Sequence, residues 1–158
     1  YLEVIHGKTA KMFEAAAECA AALSNPAHRE AMATYARHLG AAFQIIDDVL
    51  DYTSSAKVMG KNVGDDLAEG KPTLPLIQAM KIAAPAEANM VREAIRSGGL
   101  EHLQEIIQLV QDCGALDYSL ARAKAESDAA IAALSTLEES IWRDALADLA
   151  REALARNH

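Results

Sequence analysis

Asp47, Asp48 and Asp51 stand within five residues of one another, and Gln44 lies about one helical turn ahead of them. At about 100° per residue, an α-helix carries all four on about a third of its circumference. Phe43, Ile46 and Leu50 fall on the adjacent face. The segment reads as a helix with one side packed and a stripe of carboxylates presented to a cleft or to solvent.

Such a stripe is costly to leave alone. Like charges at i and i+4 destabilise a helix by about 0.2–0.5 kcal/mol when exposed, and by more when partly desolvated. No Lys or Arg lies between Arg37 and Lys57, and the macrodipole already leaves partial negative charge at the last turns of a helix. A divalent cation resolves both penalties. Carboxylate oxygens are hard donors suited to Mg²⁺, which keeps several waters and takes one or two protein carboxylates beside substrate phosphates. The pattern taken alone also fits a solvated acidic face, so its neighbours decide.

Those neighbours are cationic. Lys8-Thr9 lies in the first apolar-periodic stretch, Lys61 follows Gly60, and Lys71 follows Gly70 just ahead of a helix start. Lysine is a mobile point charge for phosphate. Singly, each is an ordinary surface lysine; as a set they supply several cations that could converge on one anion.

The elements that must position these groups are helices. With 51% hydrophobic residues but only 4% aromatics, the apolar content is Ala and Leu, and no stretch alternates in β-branched residues. The fold class is all-α. Leu2, Ile5, Met12, Phe13, Ala16, Ala20 and Leu23 mark a first helix over 2–23. Asn25 as N-cap and Pro26 at the first helical position start a second, with a buried stripe through Met32, Tyr35, Leu39, Phe43, Ile46 and Leu50 to near Tyr52. Periodicity fails over 53–70, a loop with Gly60, Gly64 and Gly70. A third helix is expected from 71 to about 83, closed by Pro85, and packing helices near 86–96, 100–112, 116–137 and 141–156. Trp142 and the later leucines are expected in the core or a subunit contact.

Several classes are excluded or disfavoured. With 23 acidic and 15 basic residues the net charge is −8, which argues against a nucleic-acid surface. No apolar run approaches the roughly 20 residues of a membrane span, and the first residues lack a signal-peptide layout. Cys19 and Cys113 belong to no metal spacing and read as buried thiols of a reducing compartment, with the cytoplasm as the expected location. Glu3-Val4-Ile5-His6 is a Glu-x-x-His pair, but a di-iron bundle needs two such pairs and two further glutamates. His28, His38, His102 and His158 form no metal spacing. The chain opens without Met and without a helix cap, so residues upstream are expected.

Gly7-Lys8-Thr9-Ala10, Phe43 to Asp51, and Gly60-Lys61-Asn62-Val63-Gly64-Asp65-Asp66-Leu67-Ala68-Glu69-Gly70-Lys71-Pro72-Thr73-Leu74-Pro75-Leu76 together resemble, in order and spacing, the second half of trans-isoprenyl diphosphate synthases. The likeness is greatest to the long-chain members that make quinone side chains and runs essentially the whole chain. It implies the C-terminal helices of an isoprenoid-synthase-type helical bundle. Residues 1–158 would be the C-terminal half of one polyprenyl synthase domain, without the first aspartate-rich motif.

The resemblance also implies roles. Asp47 would bind Mg²⁺ directly, with Asp48 and Asp51 holding waters or completing the site. Lys8, Thr9, Gln44 and Lys61 would contact the allylic diphosphate, Phe43 would lie beside the isopentenyl site, and Lys71 would add a cation at its rim. Asp47, Lys8 and Lys61 are the expected catalytic set. The reaction would be ionisation of the allylic C–O bond, attack by the isopentenyl diphosphate double bond, and proton loss to the released diphosphate. Octaprenyl diphosphate, for ubiquinone, is the expected product, and a homodimer the expected assembly. Asp65-Asp66 does not replace the first motif, so residues 1–158 alone are expected not to turn over. A non-catalytic subunit of a heteromeric synthase is the main rival. A terpene cyclase or head-to-head synthase would not need the two Gly-Lys pairs.

Overall fold

In the computed structural model, which describes residues 1–53, 64–98 and 101–156, the elements are all helical. They are α1 (Leu2–Ile5), a π-helical turn (His6–Ala10), α2 (Lys11–Ser24), a 3₁₀ turn (Pro26–His28) leading into α3 (Arg29–Thr53), α4 (Asp65–Ala68), α5 (Leu74–Ile82), α6 (Pro85–Ser97), α7 (Leu103–Asp112), α8 (Ala115–Ala133), a 3₁₀ turn (Leu134–Thr136) and α9 (Ile141–Ala155). No strand occurs among the described residues, as the all-α reading requires. No described helix is long and apolar enough to cross a membrane.

The helices sort into two units. One comprises residues 2–46 and 122–156. Its start is specified locally: Asn25 Oδ1 accepts from the Ala27 N–H at 3.2 Å, with Pro26 in the first turn, where no N–H is needed. Tyr35, Ala36 and Leu39 of α3 pack with Ala130 and Leu134 and with Ala150 and Ala153 of α9. Polar bridges fix this register. Tyr35 donates its hydroxyl to the Leu146 carbonyl at 2.7 Å, burial pushing its pKa up to about 12, and Ser127 donates to the Ala150 carbonyl at 2.7 Å. Glu126 is only 4% exposed, and its carboxylate is held by Arg122 at 2.6 Å and His38 at 2.7 Å. Without such partners a buried carboxylate would be strongly destabilising.

Two backbone features bring the π turn against α3. A Cβ on Gly40 would lie 2.7 Å from Ala10 Cα and 3.2 Å from Phe13 Cβ, so only glycine lets the two segments approach this closely. The π turn itself solves a register problem. In a regular helix Ile5 and Ala10 would point about 140° apart. Bonding i to i+5 lets positions five apart overlie, and both are buried.

The other unit comprises Tyr1 with residues 47–121. Tyr52, Leu67, Leu76, Val91, Ile106 and Val110 form its core, each at most 1% exposed. Helix ends leave carbonyls unbonded; here Gln111 Nε2 donates to the Tyr52 carbonyl at 2.9 Å. Gly70, at φ 69°, turns the chain out of α4, and its close approach to the Ile95 carbonyl leaves no room for a side chain.

The structure corrects several expectations. The third helix begins at Leu74 with Thr73 at its N-cap, not at residue 71, and Pro85 opens α6 at its first turn as well as ending what precedes it. Four residues of the expected loop, Asp65–Ala68, are helical. The first helix faces inward through Ile5, Ala10 and Ala21, whereas Met12 is 74% and Leu23 91% exposed. Cys19 is exposed on the same outward face and Cys113 is only partly buried. Trp142 is 75% exposed, so it is no part of the core.

Gly40→Ala should cost up to about 2 kcal/mol, because overpacking costs about 1–3 kcal/mol and alanine's better helix propensity returns about 1. Urea denaturation should show a lower midpoint at an unchanged slope.

Candidate active site

The end of α3 carries three carboxylates in three environments. Asp47 is partly exposed. Asp48 turns inward to 4% exposure, and its Oδ2 accepts the Tyr1 hydroxyl at 2.5 Å. Burial first, and then the Asp48 charge, raise the Tyr1 pKa well above its usual value, so it remains a donor. Asp51 is half-buried, and its Oδ2 accepts the Asp66 backbone N–H at 3.2 Å. Even so, its pKa is pushed up to about 6, chiefly by burial and then by the negative charge of Asp66; the Asp66 N–H only partly compensates.

α4 and the turn after it form the wall beside Asp51. Asp66 accepts from Lys71 Nζ at 3.0 Å, and Glu69 pairs with the same ammonium at 2.7 Å. These two hydrogen bonds raise the Lys71 pKa above its usual value. Lys71 is thus a fixed cation beside the acidic residues of α4, placed by its own backbone N–H bond to the Asp66 carbonyl at 2.9 Å.

Lys8 and Thr9 sit on the π turn, Lys8 exposed. Such turns occur often at functional positions. Thr9 Oγ1 donates to Gln44 Oε1 at 2.8 Å, fixing the amide against the turn. That contact lies one turn of α3 beyond Gly40 and beside Ala10, the pair whose close approach makes it possible. The Phe43 ring is held between Phe13, centroid to centroid 5.7 Å, and the Arg156 guanidinium, 4.2 Å above its face.

Thr9 and Gln44 are therefore joined directly, and Asp48 and Asp51 each have a fixed partner, while Lys61 lies outside the described residues. Sequence reasoning missed three supporting residues. Asp66 was weighed only as a substitute for a missing motif, yet its backbone N–H holds Asp51. Tyr1 lies 47 residues from Asp48 and Arg156 more than a hundred from Phe43, and no local pattern marks either.

Among the described residues no three His, Cys, Asp or Glu side chains are gathered as a ready metal cage. The donor chemistry nevertheless fits Mg²⁺, which needs only one or two carboxylates of its own. Burial, and then the neighbouring Asp66 charge, raise the Asp51 pKa, and a bound cation would relieve both penalties.

An all-helical chain with an aspartate-rich helix end and a Lys-Thr pair on a π turn has the makings of an isoprenoid-synthase-type fold. The chain belongs to the polyprenyl synthetase family, whose model matches residues 1–112. It is 52% identical over 157 residues to the all-trans-nonaprenyl-diphosphate synthase (geranyl-diphosphate specific) of Rhodobacter capsulatus, covering 99% of this chain and 48% of that protein. It is 48% identical over 160 residues to the octaprenyl diphosphate synthase of Escherichia coli (strain K12), covering 99% of this chain and 50% of that protein. The crystal structure of polyprenyl synthase from Caulobacter crescentus CB15, complexed with calcium and isoprenyl diphosphate, superposes with a TM-score of 0.91 at 40% identity, covering 100% of this chain and 49% of that one. The chain spans about half the length of the curated relatives it matches.

Asp51 gives a pH test. Its folded pKa lies above the unfolded value, so it destabilises the metal-free fold fully above about pH 6, and the penalty fades as pH falls towards 4. The shift corresponds to at most about 3 kcal/mol, reduced by solvent screening at this half-exposed site to about 1. Asp51→Asn should therefore raise the metal-free thermal midpoint at pH 8 and leave it little changed at pH 4.

Proposed function

We propose that this chain is the C-terminal half of a polyprenyl diphosphate synthase, which adds isopentenyl diphosphate units to an allylic diphosphate. The three carboxylates at the end of α3, in a chain of this family, are the observation that carries the reading. Calcium and isoprenyl diphosphate in the related Caulobacter structure support a cation and a diphosphate as the ligands. Octaprenyl diphosphate, for ubiquinone, remains the proposed product, favoured by the likeness to the octaprenyl enzyme but shared with a nonaprenyl one. Homodimerisation and a cytoplasmic location belong to the same proposal.

In this reading Asp47 holds Mg²⁺ directly, with Asp48 and Asp51 holding its waters or completing the site. The metal, when bound, stabilises the negative charge that develops on the departing diphosphate. Lys8 and Lys61 bind that diphosphate as cations. Thr9 orients Gln44 toward it by their 2.8 Å hydrogen bond. Phe43, held between Phe13 and Arg156, forms a rigid apolar wall beside the isopentenyl group. Lys71 stands at the rim, its charge shared with Asp66 and Glu69.

The half-domain reading accounts for an otherwise odd surface. Met12, Ala15, Ala16, Cys19, Ala20 and Leu23 are all exposed on α2, and Ala21 is the helix's only residue classed as buried. An apolar face of this length is ordinarily covered, and the relatives are twice as long as this chain.

Residues 1–158 alone should bind inorganic pyrophosphate weakly and only with Mg²⁺, and should yield no product with Mg²⁺, farnesyl diphosphate and labelled isopentenyl diphosphate. Joined to the preceding half of the Rhodobacter relative, the chain should make a long prenyl diphosphate, sized after extraction; absence of any elongated lipid would sink the synthase reading. In that active form Asp47→Ala should lower turnover by several hundredfold, or about 3–4 kcal/mol of transition-state stabilisation.

A further inference from the structure

Asp47 and Asp48 are consecutive, yet the fold treats them oppositely: the first is partly exposed, and the second is 4% exposed against the Tyr1 hydroxyl at 2.5 Å. Successive helical residues point about 100° apart, so one position can face outward only if the next turns away. We propose that Tyr1 is a positioning residue: its hydroxyl holds Asp48 Oδ2 inside the fold, making Asp48 the anchor of the acidic helix end, while Asp47 and Asp51 are the carboxylates that bind metal. The metal part of this proposal rests on the magnesium reading above; the anchoring contact does not.

Three physical features support it. An O–H donor to a carboxylate at 2.5 Å is a short, charge-assisted hydrogen bond, among the strongest a neutral side chain can make. A carboxylate buried to this degree is strongly destabilising without such a donor. Mg²⁺ also keeps several of its waters, which suits the partly exposed Asp47 and Asp51 better than a group 4% exposed.

The identity of the donor matters as well. A Lys or Arg in place of Tyr1 would satisfy Asp48 but add a positive charge beside the carboxylates that must attract a cation. A phenol satisfies the buried oxygen and leaves the negative charge of the site intact. It does so across 47 residues of sequence, so the contact ties the start of the chain to the second aspartate motif within a single unit. Asp48 is thereby removed from the set of three carboxylates that the sequence pattern offers to a metal.

The test uses the 158-residue chain with Mn²⁺ as the probe, bound metal being read by electron paramagnetic resonance in the presence of inorganic pyrophosphate. Asp47→Asn should abolish binding. Asp48→Asn should retain it, because an amide oxygen still accepts from Tyr1. Tyr1→Phe should weaken Mn²⁺ about tenfold, the usual effect of losing a residue that orients a ligand. Urea denaturation without metal completes the cycle: Tyr1→Phe and Asp48→Ala should be non-additive, since each removes one partner of the same hydrogen bond. Loss of Mn²⁺ in Asp48→Asn alongside a silent Tyr1→Phe would make Asp48 a direct ligand and overturn the proposal. Additive effects in the cycle would overturn the anchoring role alone. No Mn²⁺ binding by the parent chain would sink the magnesium reading, and with it the division of labour among the aspartates, whatever the cycle shows.

Discussion

Three carboxylates within five residues, at the end of a helix whose last carbonyls already carry partial negative charge, constrain much of what surrounds them. Burial sharpens the constraint, because each anion taken from water needs a donor or it protonates. The fold supplies neutral donors: the Tyr1 hydroxyl for Asp48 and the Asp66 backbone N–H for Asp51. The nearby cation, Lys71, is spent on Asp66 and Glu69 instead. Partners are thus found for the oxygens without cancelling the charge, and that is the condition a cation-binding site requires. α4, only four residues long, is explained by this need: its first turn puts a backbone N–H where Asp51 can accept it.

The other unit depends on closeness rather than charge. Gly40 removes the one methyl group that would keep the π turn from α3, and the gain is a hydroxyl-to-amide contact one helical turn further along. The π turn in turn reconciles two demands on one helix, that Ile5 and Ala10 both face inward. A regular helix could bury one or the other. Phe43 is likewise held on two sides, by the Phe13 ring and by the Arg156 guanidinium.

Much of this was legible in the sequence, and the physical reason is locality. Helix starts signalled by Asn25 and Pro26, the helical class and the carboxylate stripe all follow from residues within a few positions of each other. The misreadings have equally specific causes. Met12 and Leu23 carry helical spacing, but spacing gives a face without saying whether it points inward; here Ile5, Ala10 and Ala21 took that side. Trp142, expected in the core or a subunit contact, is 75% exposed, and nothing local in the sequence separates those two alternatives. The contacts of Tyr1 and Arg156 join residues too distant in sequence for any motif to announce. Asp48 is the sharpest case: the pattern makes the three aspartates equivalent, and tertiary contacts distinguish them.

The widened turn at His6–Ala10 also has a bearing on how such chains can vary in length. A π turn is one residue more than a regular helix needs, so losing any one of those five residues would leave an unbroken α-helix rather than a break. In the healed helix the residues now numbered Ile5 and Ala10 would be four apart, about 40° from one another, so α2 would keep its facing relative to α1. Phe13 and Ala21 would stay on the side on which they now pack, whereas Thr9, inside the turn itself, would change direction. A single-codon deletion here would thus preserve both helicity and the facing of α2, and what it would forfeit is the local geometry that sets the Thr9 hydroxyl against Gln44.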